Sequence, residues 1–582
     1  MRKRIFSMLA LLVVVTLVAT ACQPRDGGTG QTPKTEDKAQ GGTLRLELSE
    51  PAQLDPAQSD DSEETIVTRQ VYEGLVTYHE KTAAVQPGVA TKWEANDDKT
   101  VWTFTLRKDA KFSNGDPVTA ESFIRGWNRA SSPEIEEGAS PLNTFFASVV
   151  GFKEHFGDAE ADPPTVGNGQ GLSGLKAVDD YTLEVTLTQP DPEFYVKTGH
   201  TAFFPLPDQE TIDAAKPSFS EQPIGNGQFM LEGNPAWQHD QQIRAVPNPN
   251  YKGGSEPTSL DEVIWRIFPD FDAMYLEWEK GNLDYIRVPT GKEKEAEEKY
   301  KDSYLDVATT TLTYVGLTIK SPPIDNPKVR QALSLAIDRD AIIKAIFNDT
   351  QVRAEGIIPP VMPGFRKEGV CEFCDFDVPR AKKLLAEAGV DTSKPLTFAF
   401  NTGAGHEQWV QAVAQQLKDN LGLTVTPEPV TGFSRNFIPR LRQGQVTGLF
   451  RLGWGMDYPS PQNFLAPLFH TNAIGHDNLT EYSNKKFDDL LDEANTKDKE
   501  SDRIKLYQQA EDVVLADMPI IPMWFRRSIR LANLDTFGGL GVNPFDNPSI
   551  ASAYLKKDAP KGGTTPSQTI VDTTAPATTT GG

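Results

Sequence analysis

The stretch at residues 448–461 constrains the fold more than any other part of the chain. It begins with an apolar run at 448–450, typical of the end of a buried strand, and continues into a turn interrupted by glycine and proline. The turn carries an aspartate, Asp457, three residues after a tryptophan, Trp454. Ligands of open α/β sheets bind at the carboxyl ends of strands, so this composition predicts a binding loop on such a sheet. An ordinary strand exit with a core tryptophan and a solvated aspartate is the alternative, and this stretch alone leaves it open.

Two segments in the second half have the pattern of amphipathic helices. Residues 326–338 open with an N-cap asparagine, Asn326, and a proline at the first helical position, and then place apolar residues on one face. Residues 379–389 repeat this plan and end at Gly389. The chain has 582 residues, whereas single hydrophobic cores stop growing at roughly 250–300 residues. We therefore predict at least two α/β lobes, in which helices alternate with strands.

Alternation of apolar and polar side chains predicts strands at residues 42–48 and 178–187. Residues 169–174 match the GxGxxG pattern of dinucleotide-binding proteins, but a strand follows them instead of a helix. No helix N-terminus is then available to a phosphate, and we predict an ordinary loop.

The amino terminus is predicted to be an export signal. Three basic residues at 2–4 precede an apolar stretch at 5–21, and small residues lead from it into Cys22. The segment resembles a bacterial lipoprotein signal, which implies a signal peptide at residues 1–21 and a lipid anchor on Cys22, although Ala19 stands where leucine is usual. A plain signal peptide followed by a chance cysteine is the alternative. No later segment approaches the ~20 apolar residues that span a bilayer, so we expect an exported protein, anchored to the outer face of the cell membrane or periplasmic.

Two terminal segments are predicted to be disordered. Residues 22–41 contain almost no apolar side chain and are expected to form a tether, because they cannot bury enough surface to fold. Residues 561–582 form a tail of threonine, proline and glycine.

Composition and motifs exclude several classes of function. The net charge of −23 argues against a nucleic-acid partner, which needs a clustered basic surface. No nucleophile with a neighbouring base is evident, so we do not expect an enzyme. His470 and His476 lie six residues apart without a third ligand, and we predict neither a metal site nor a cofactor.

Three segments near the amino terminus resemble a known family. They are residues 87–94 (Pro-Gly-Val-Ala-Thr-Lys-Trp-Glu), 103–108 (Thr-Phe-Thr-Leu-Arg-Lys) and 111–121 (Lys-Phe-Ser-Asn-Gly-Asp-Pro-Val-Thr-Ala-Glu). In order and spacing they resemble the signature block of the family-5 extracellular solute-binding proteins, the oligopeptide- and dipeptide-binding subunits of ABC importers. The resemblance implies that the chain captures a peptide outside the membrane and delivers it to a permease and its ATPase subunits.

The resemblance also implies an α/β, two-lobed type II periplasmic-binding-protein fold with an extra subdomain in the first lobe. We expect lobe one at residues 42–312, with the extra subdomain at about 86–220. Lobe two is expected at 313–527, and the chain then returns to lobe one at 528–560. We expect a monomer that encloses its ligand between the lobes by hinge closure.

The same resemblance assigns roles to residues of the opening stretch. In the peptide-binding members, an aspartate in the pattern Trp-x-x-Asp holds the α-ammonium of the ligand. Trp454, Gly455 and Asp457 match this pattern, which implies that Asp457 binds the ammonium. Arg451 stands three residues before the tryptophan, where some members carry an arginine that meets the ligand carboxylate.

A second loop resembles the segment that lies along the bound peptide in this family. It spans residues 50–56 and places the Glu50 side chain and the Ala52 backbone at the ligand. Main-chain hydrogen bonding of this kind does not depend on the ligand's side chains.

Cys371 and Cys374 form a CxxC motif. Outside the cell, a disulfide that fixes the turn before the next helix is the preferred interpretation. Redox activity and structural zinc are the alternatives, although zinc would need two further ligands for which the sequence offers no candidate.

Three classes of function remain to be compared. The first is a peptide-binding lipoprotein of an ABC transporter. The second is the same scaffold binding a non-peptide solute such as an oligosaccharide, an opine or a metal chelate, and the third is a secreted enzyme. The mass of a co-purified ligand separates the first two, and a turnover assay separates the third.

Overall fold

The computed structural model describes residues 38–135, 139–158, 165–253, 258–389, 391 and 393–559. The predicted signal peptide, the lipidation site Cys22 and the carboxyl-terminal tail lie outside the described residues.

The last residues of the predicted tether belong to the folded part. The Ala39 N–H donates to the Leu555 carbonyl at 2.8 Å, and the Gly41 N–H donates to the Ser259 carbonyl at 2.7 Å. The tether prediction is therefore four residues too long, because these contacts use backbone groups and need no apolar side chain.

The strands of the described residues form one 12-stranded mixed sheet, one four-stranded sheet and three two-stranded sheets. They are β1 Thr43–Leu48, β2 Val76–Tyr78, β3 Val85–Pro87, β4 Ala90–Ala95, β5 Val101–Leu106, β6 Gly157–Asp158, β7 Thr165–Val166, β8 Leu175–Asp179, β9 Thr182–Thr186, β10 Phe229–Leu231, β11 Trp237–Gln238, β12 Gln242–Pro247, β13 Glu262–Ile267, β14 Tyr285–Arg287, β15 Tyr304–Leu317, β16 Val352–Arg353, β17 Leu396–Asn401, β18 Val425–Val430, β19 Leu449–Trp454, β20 Ile520–Ala532, β21 Phe537–Gly538 and β22 Tyr554–Leu555.

The helices of the described residues cover both parts of the large sheet. They are α1 Ser62–Val71, α2 Ala120–Ala130, α3 Phe152–Phe156, α4 Phe194–Lys197, α5 Gln209–Ala214, α6 Phe271–Glu279, α7 Glu293–Lys299, α8 Pro327–Leu335, α9 Arg339–Phe347, α10 Val378–Ala388, α11 Glu407–Leu421, α12 Ile438–Arg442, α13 Gln462–Phe469, α14 Lys485–Ala494 and α15 Glu500–Asp517. Short 3₁₀ turns lie at Asn143–Phe146, Thr201–Phe203 and Thr471–Ala473, and a π-helical turn at Phe433–Phe437. Among the described residues, no helix is both long and apolar enough to cross a membrane.

Three of the four hydrophobic cores among the described residues define the regions used below. The first-lobe core packs β1, β12 and β13 against α1 and the segment after β20, with Leu46, Trp265 and Phe537 buried. The subdomain core packs the four-stranded sheet β4-β5-β9-β8 against α2, with Trp127 at its centre. The second-lobe core surrounds β15, β17 and β19 and includes α8, α11 and α13. We use the names first lobe, subdomain and second lobe for these regions.

Two long strands, β15 and β20, run from one lobe into the other and pair antiparallel along their length. The pairing is interrupted between Ala308 and Leu312, where three threonines stand opposite Arg526. The Thr309 hydroxyl donates to the Arg526 carbonyl at 2.9 Å across this break. The register break therefore lies where the sheet passes between the two lobes.

Several predicted elements are present. The helices at 326–338 and 379–389 correspond to α8, capped by Asn326, and α10, ended by Gly389 at φ +64°. Residues 169–174 lie in a loop before β8. The predicted single strand at 178–187 is wrong, because Asp179 accepts hydrogen bonds from the Tyr181 N–H and the Thr182 hydroxyl and turns the chain into the β8–β9 hairpin.

The subdomain is shorter at its carboxyl end than the predicted span of 86–220. Phe203 packs in the subdomain core, whereas Phe204, Leu206 and Phe219 pack in the first-lobe core. Sequence alternation cannot distinguish between two adjacent apolar cores.

Cys371 and Cys374 are joined by a disulfide, with their Cα atoms 5.4 Å apart. Both side chains are buried in the second-lobe core, in the turn that leads to α10. The Cys374 carbonyl accepts a hydrogen bond of 2.9 Å from the buried guanidinium of Arg339. The bridge thus fixes a turn against α9.

Candidate functional site

The opening stretch of the sequence forms the end of β19 and the loop before α13. Trp454 is the last residue of the strand and pairs with Leu312 of β15, while Gly453 pairs with Thr313. Asp457 follows in the loop. The structure therefore brings together the strand end and the loop that the sequence pattern predicted.

Asp457 is a largely enclosed carboxylate with one polar partner. The Asn463 side-chain amide donates to its Oδ2 at 2.8 Å, and the Asp457 N–H donates to Asn463 Oδ1 at 2.9 Å. Among the described residues, no cationic group lies within ion-pair distance of this carboxylate. Burial, opposed by the Asn463 hydrogen bond and Arg69 and assisted by Asp477, raises the pKa of Asp457 to about 6.

Arg69 faces this region from the first lobe. It lies on α1, its guanidinium stacks 4.6 Å above the Phe545 ring, and its Nε has no hydrogen-bond partner. Burial lowers the pKa of Arg69, and the attraction of Tyr78 and Asp457 opposes this effect. Asp457 thus interacts with a first-lobe cation at long range without forming an ion pair.

Arg451 lies along β19 on the way to the loop. Its Nη1 donates to Asn401 Oδ1 at 3.1 Å, and its Nε has no partner. Its Nη2 lies 3.8 Å from the position that a Cβ atom would take at Gly453, so the side chain extends over that glycine toward Trp454. Burial lowers the pKa of Arg451 to about 9, and nearby Arg526 lowers it as well.

Trp454 contributes both packing and a free donor. Its ring packs against the second-lobe core, yet its buried indole N–H has no acceptor. Gly455 is exposed and has only the Thr311 hydroxyl, at 3.7 Å, near the position of a Cβ atom. The backbone at Gly455 is therefore accessible beside the strand end.

Glu50 and Ala52 lie in the loop between β1 and α1, on the first lobe. The Glu50 carboxylate accepts hydrogen bonds from Trp237 Nε1 at 3.1 Å, His239 Nδ1 at 2.7 Å and the Asp240 N–H at 3.1 Å. These bonds attach the loop to the hairpin of β11 and β12. The structure shows no direct contact between Glu50 and the residues of β19, and the ligand-binding role of this loop stays a prediction.

Sequence reasoning missed Arg526 and His406. Arg526 is exposed on β20, and Arg530 and Arg287 lie near it. His406 precedes α11 and accepts a hydrogen bond of 3.3 Å from Trp409 Nε1. Burial and, to a smaller extent, Arg451 and Arg526 lower the pKa of His406 to about 3, so this imidazole is neutral. Arg526 directly follows the apolar run at residues 520–525, and this position was the sequence signal that could have indicated it.

The subdomain reaches the second lobe through one buried carboxylate, Glu193. It accepts hydrogen bonds from Arg503 Nε at 3.1 Å, the Ser460 hydroxyl at 2.5 Å and the Tyr507 hydroxyl at 3.2 Å. The side chains of Glu193 and Arg503 are each 7% exposed. We call Glu193, Ser460, Arg503 and Tyr507 the clasp. Its member Ser460 lies three residues after Asp457 in the same loop.

A cavity of about 950 Å³ lies elsewhere, between the first lobe, the start of the subdomain and the carboxyl-terminal segment. Arg69 and Tyr78 form one end of it, and none of the six ligand-binding residues predicted from the sequence lines it. We base the candidate site on the β19 strand end, where polar groups without partners converge. Among the described residues there is no group of three or more histidine, cysteine or acidic side chains that could hold a metal ion.

Comparison with known proteins places these features in a family. Residues 84–476 match the family model described as "Bacterial extracellular solute-binding proteins, family 5 Middle". The chain is 30% identical over 534 residues to the periplasmic oligopeptide-binding protein OppA of Escherichia coli K12. The alignment covers 88% of this chain and 92% of that protein. It is 29% identical to the probable deoxycholate-binding periplasmic protein YgiS of the same organism, over 87% of this chain and 92% of that protein. The solved structure of the Escherichia coli murein tripeptide binding protein MppA matches with a TM-score of 0.72 and 28% identity, over 89% of this chain and 99% of that one.

Proposed function

The chain belongs to family 5 of the bacterial extracellular solute-binding proteins, and from this premise we propose that it captures short peptides and delivers them to the permease of an ABC transporter. It has the two-lobed type II periplasmic-binding-protein fold of that family. The relatives are binding proteins, which fits a protein without enzymatic activity.

The observation that carries this proposal is the state of Asp457. An enclosed carboxylate without an ion partner is costly, and a ligand ammonium relieves that cost by forming a charge-assisted hydrogen bond. Arg451, six residues earlier, offers donors to the carboxylate at the other end of a peptide. A zwitterion whose charges are separated along an extended backbone fits this arrangement.

Strand geometry sets the order of size of the ligand. The Cα atoms of Arg451 and Trp454 lie about 10 Å apart at 3.3 Å per residue, and the loop to Asp457 adds at most about 10 Å more. An extended peptide advances by about the same distance per residue. We infer a ligand of a few residues.

Titration calorimetry with tetra-alanine and N-acetyl-tetra-alanine tests this function. Acetylation removes the ammonium and keeps the backbone. We therefore expect the acetylated peptide to bind roughly 30- to several-thousand-fold more weakly than the free peptide. This range corresponds to about 2–5 kcal/mol, the cost of removing one partner of a buried charge pair. Equal affinities, or no binding of either peptide, contradict the peptide proposal.

A non-peptide solute is the second candidate, and two cations without an acidic partner among the described residues favour it. Arg451 and Arg526 suit the carboxylate of many small molecules, and one of the relatives is named for deoxycholate binding. Such a ligand leaves Asp457 without a cation, which is why we rank it second. Mass spectrometry of ligand released by gentle denaturation of purified protein distinguishes a peptide from an oligosaccharide, an opine or a metal chelate.

We further propose a lipid anchor on Cys22, a monomeric state, and lobe boundaries at residues 42–312, 313–527 and 528–560. The anchor rests on the signal sequence, and one diacylglycerol contributes about 0.8 kcal/mol for each buried methylene. Wild-type protein should require detergent for extraction, whereas Cys22→Ala should appear in the medium or the free periplasm. Wild-type protein found wholly in the soluble fraction contradicts the anchor.

A further inference from the structure

Two arginines on different strands converge on one corner of the second lobe. β15 lies between β19, which carries Arg451, and β20, which carries Arg526. Arg451 pairs with Val315, and Thr313 pairs with Trp524. Because alternate residues of a strand share a face, Arg451 and Arg526 project from the same face of the sheet.

Contacts around residues 401–409 locate the meeting point. Arg451 donates to Asn401 at the end of β17. Trp524, two residues before Arg526, packs 5.2 Å from the ring of Trp409. Asn401 and Trp409 lie on either side of the short segment at residues 402–406 that joins β17 to α11, so both arginines lie near this segment.

Neither arginine has an acidic partner. Among the described residues, no carboxylate lies within 4 Å of either guanidinium, and Asp546, the acid that attracts Arg526, is bonded to Arg530 at 2.9 Å. Arg503, by contrast, is paired with Glu193. The low pKa of His406, caused first by burial and then by both arginines, agrees with an excess of positive charge here.

The floor between the two arginines is open. Gly453 and Gly455 place no side chain on it, and the guanidinium of Arg451 lies over Gly453. A peptide backbone can thus approach the strand while its carboxylates face the arginines.

Starting from the proposed function, we propose that Arg451 and Arg526 form an anion subsite that selects peptides with a glutamate or aspartate as the last or next-to-last residue. The terminal carboxylate of any peptide satisfies one guanidinium. A second carboxylate on the neighbouring side chain satisfies the other and removes the repulsion between the two cations.

The test uses three tetrapeptides, Ala-Ala-Ala-Ala, Ala-Ala-Ala-Glu and Ala-Ala-Ala-Gln, titrated into wild-type protein and two variants. Glutamine matches glutamate in shape and lacks its charge. We expect wild-type protein to bind the glutamate peptide about tenfold more tightly than the other two, a coupling expected for a charge pair accessible to solvent. We expect Arg526→Gln to lose this preference and to bind the three peptides with similar affinities.

Arg527→Gln is the matched control. Arg527 is the next residue of β20, and its Nε bonds to Asp306 at 2.6 Å, so this variant changes the net charge equally without touching the subsite. It should keep the tenfold preference, and raising the salt from 0.05 to 0.5 M should reduce that preference in wild type, because screening acts on exposed charges.

The outcomes separate this proposal from the proposed function. If no peptide binds, the peptide function itself fails. If all three bind wild-type protein with equal affinity, or if the glutamate preference survives in Arg526→Gln, the function stands and the anion subsite is overturned.

Discussion

Two enclosed carboxylates meet at the loop of residues 457–460, and their surroundings differ. One, Asp457, belongs to the loop, and the other, Glu193, is bonded to Ser460. Glu193 receives hydrogen bonds from Arg503, Ser460 and Tyr507 and so connects the subdomain to the second lobe. Asp457 receives one from Asn463 and has no ion partner among the described residues. A fully bonded charge fixes the position of one region on another, whereas the proposed function assigns the charge without a partner to a ligand ammonium.

The largest effect is expected where the bonded charge is removed. Glu193→Ala leaves the Arg503 guanidinium buried and unpaired, and the free energy of unfolding should fall by about 3–5 kcal/mol. Urea denaturation measures this change. Glu500→Ala, at an exposed residue of α15, should stay within about 0.5 kcal/mol of wild type. A small change in Glu193→Ala would show that the clasp contributes little to stability.

Removal of the other carboxylate should instead affect binding. Asp457→Ala should weaken the binding of tetra-alanine by roughly 30- to several-thousand-fold, because the ligand ammonium loses its partner. Asp477→Asn is the control, since the Asp477 side chain bonds to Arg442 at 3.3 Å and lies near Asp457 without a direct contact. Unchanged affinity in Asp457→Ala would place the ammonium elsewhere.

In the ligand-free protein, the dependence of stability on pH should distinguish Asp457 from an ordinary aspartate. The pKa of Asp457 is about 6 in the folded state, against 3.8 for an ordinary aspartate. The folded protein therefore holds this proton more tightly, and the contribution to stability is greatest below pH 4 and is lost as the pH rises to about 6. Urea unfolding at pH 4.5 and 7 should show a larger loss of stability in wild type than in Asp457→Asn. Parallel changes in both proteins would argue against a raised pKa.

Arg451→Ala should have the smallest effect of these substitutions. Arg451 shares its corner with Arg526, so a ligand carboxylate keeps one cation, and we expect a loss of about tenfold or less for tetra-alanine. The loss should vary with peptide length, because only some lengths place the carboxylate at this arginine. Titration of peptides with two to five alanines measures it, and a loss that is uniform across lengths would indicate an effect on folding.

The sequence predicted the local elements of this site and missed the long-range ones. The end of β19, the loop with Asp457, and the helices α8 and α10 follow from apolar spacing and from caps within a few residues. The bond between Glu193 and Arg503 joins residues 310 positions apart, for which no local pattern exists.

Two features of the candidate site could not be read from residue types. The lack of a partner at Arg526 depends on where every acidic side chain lies, and Asp546 is already bonded to Arg530. The Glu50 carboxylate is engaged by Trp237, His239 and Asp240 because the β11–β12 hairpin folds back onto its loop. The family resemblance identified this loop but not these contacts.

The protons exchanged on peptide binding at pH 6 test the central claim most directly. Near its pKa, the Asp457 carboxyl is about half protonated, and it must lose that proton to hold an ammonium ion. Calorimetry of tetra-alanine binding in two buffers of different ionisation enthalpy should give a release of about half a proton for wild-type protein and none for Asp457→Asn. Equal proton release in both proteins, or proton uptake by wild type, would contradict the assignment of Asp457 as the ammonium site.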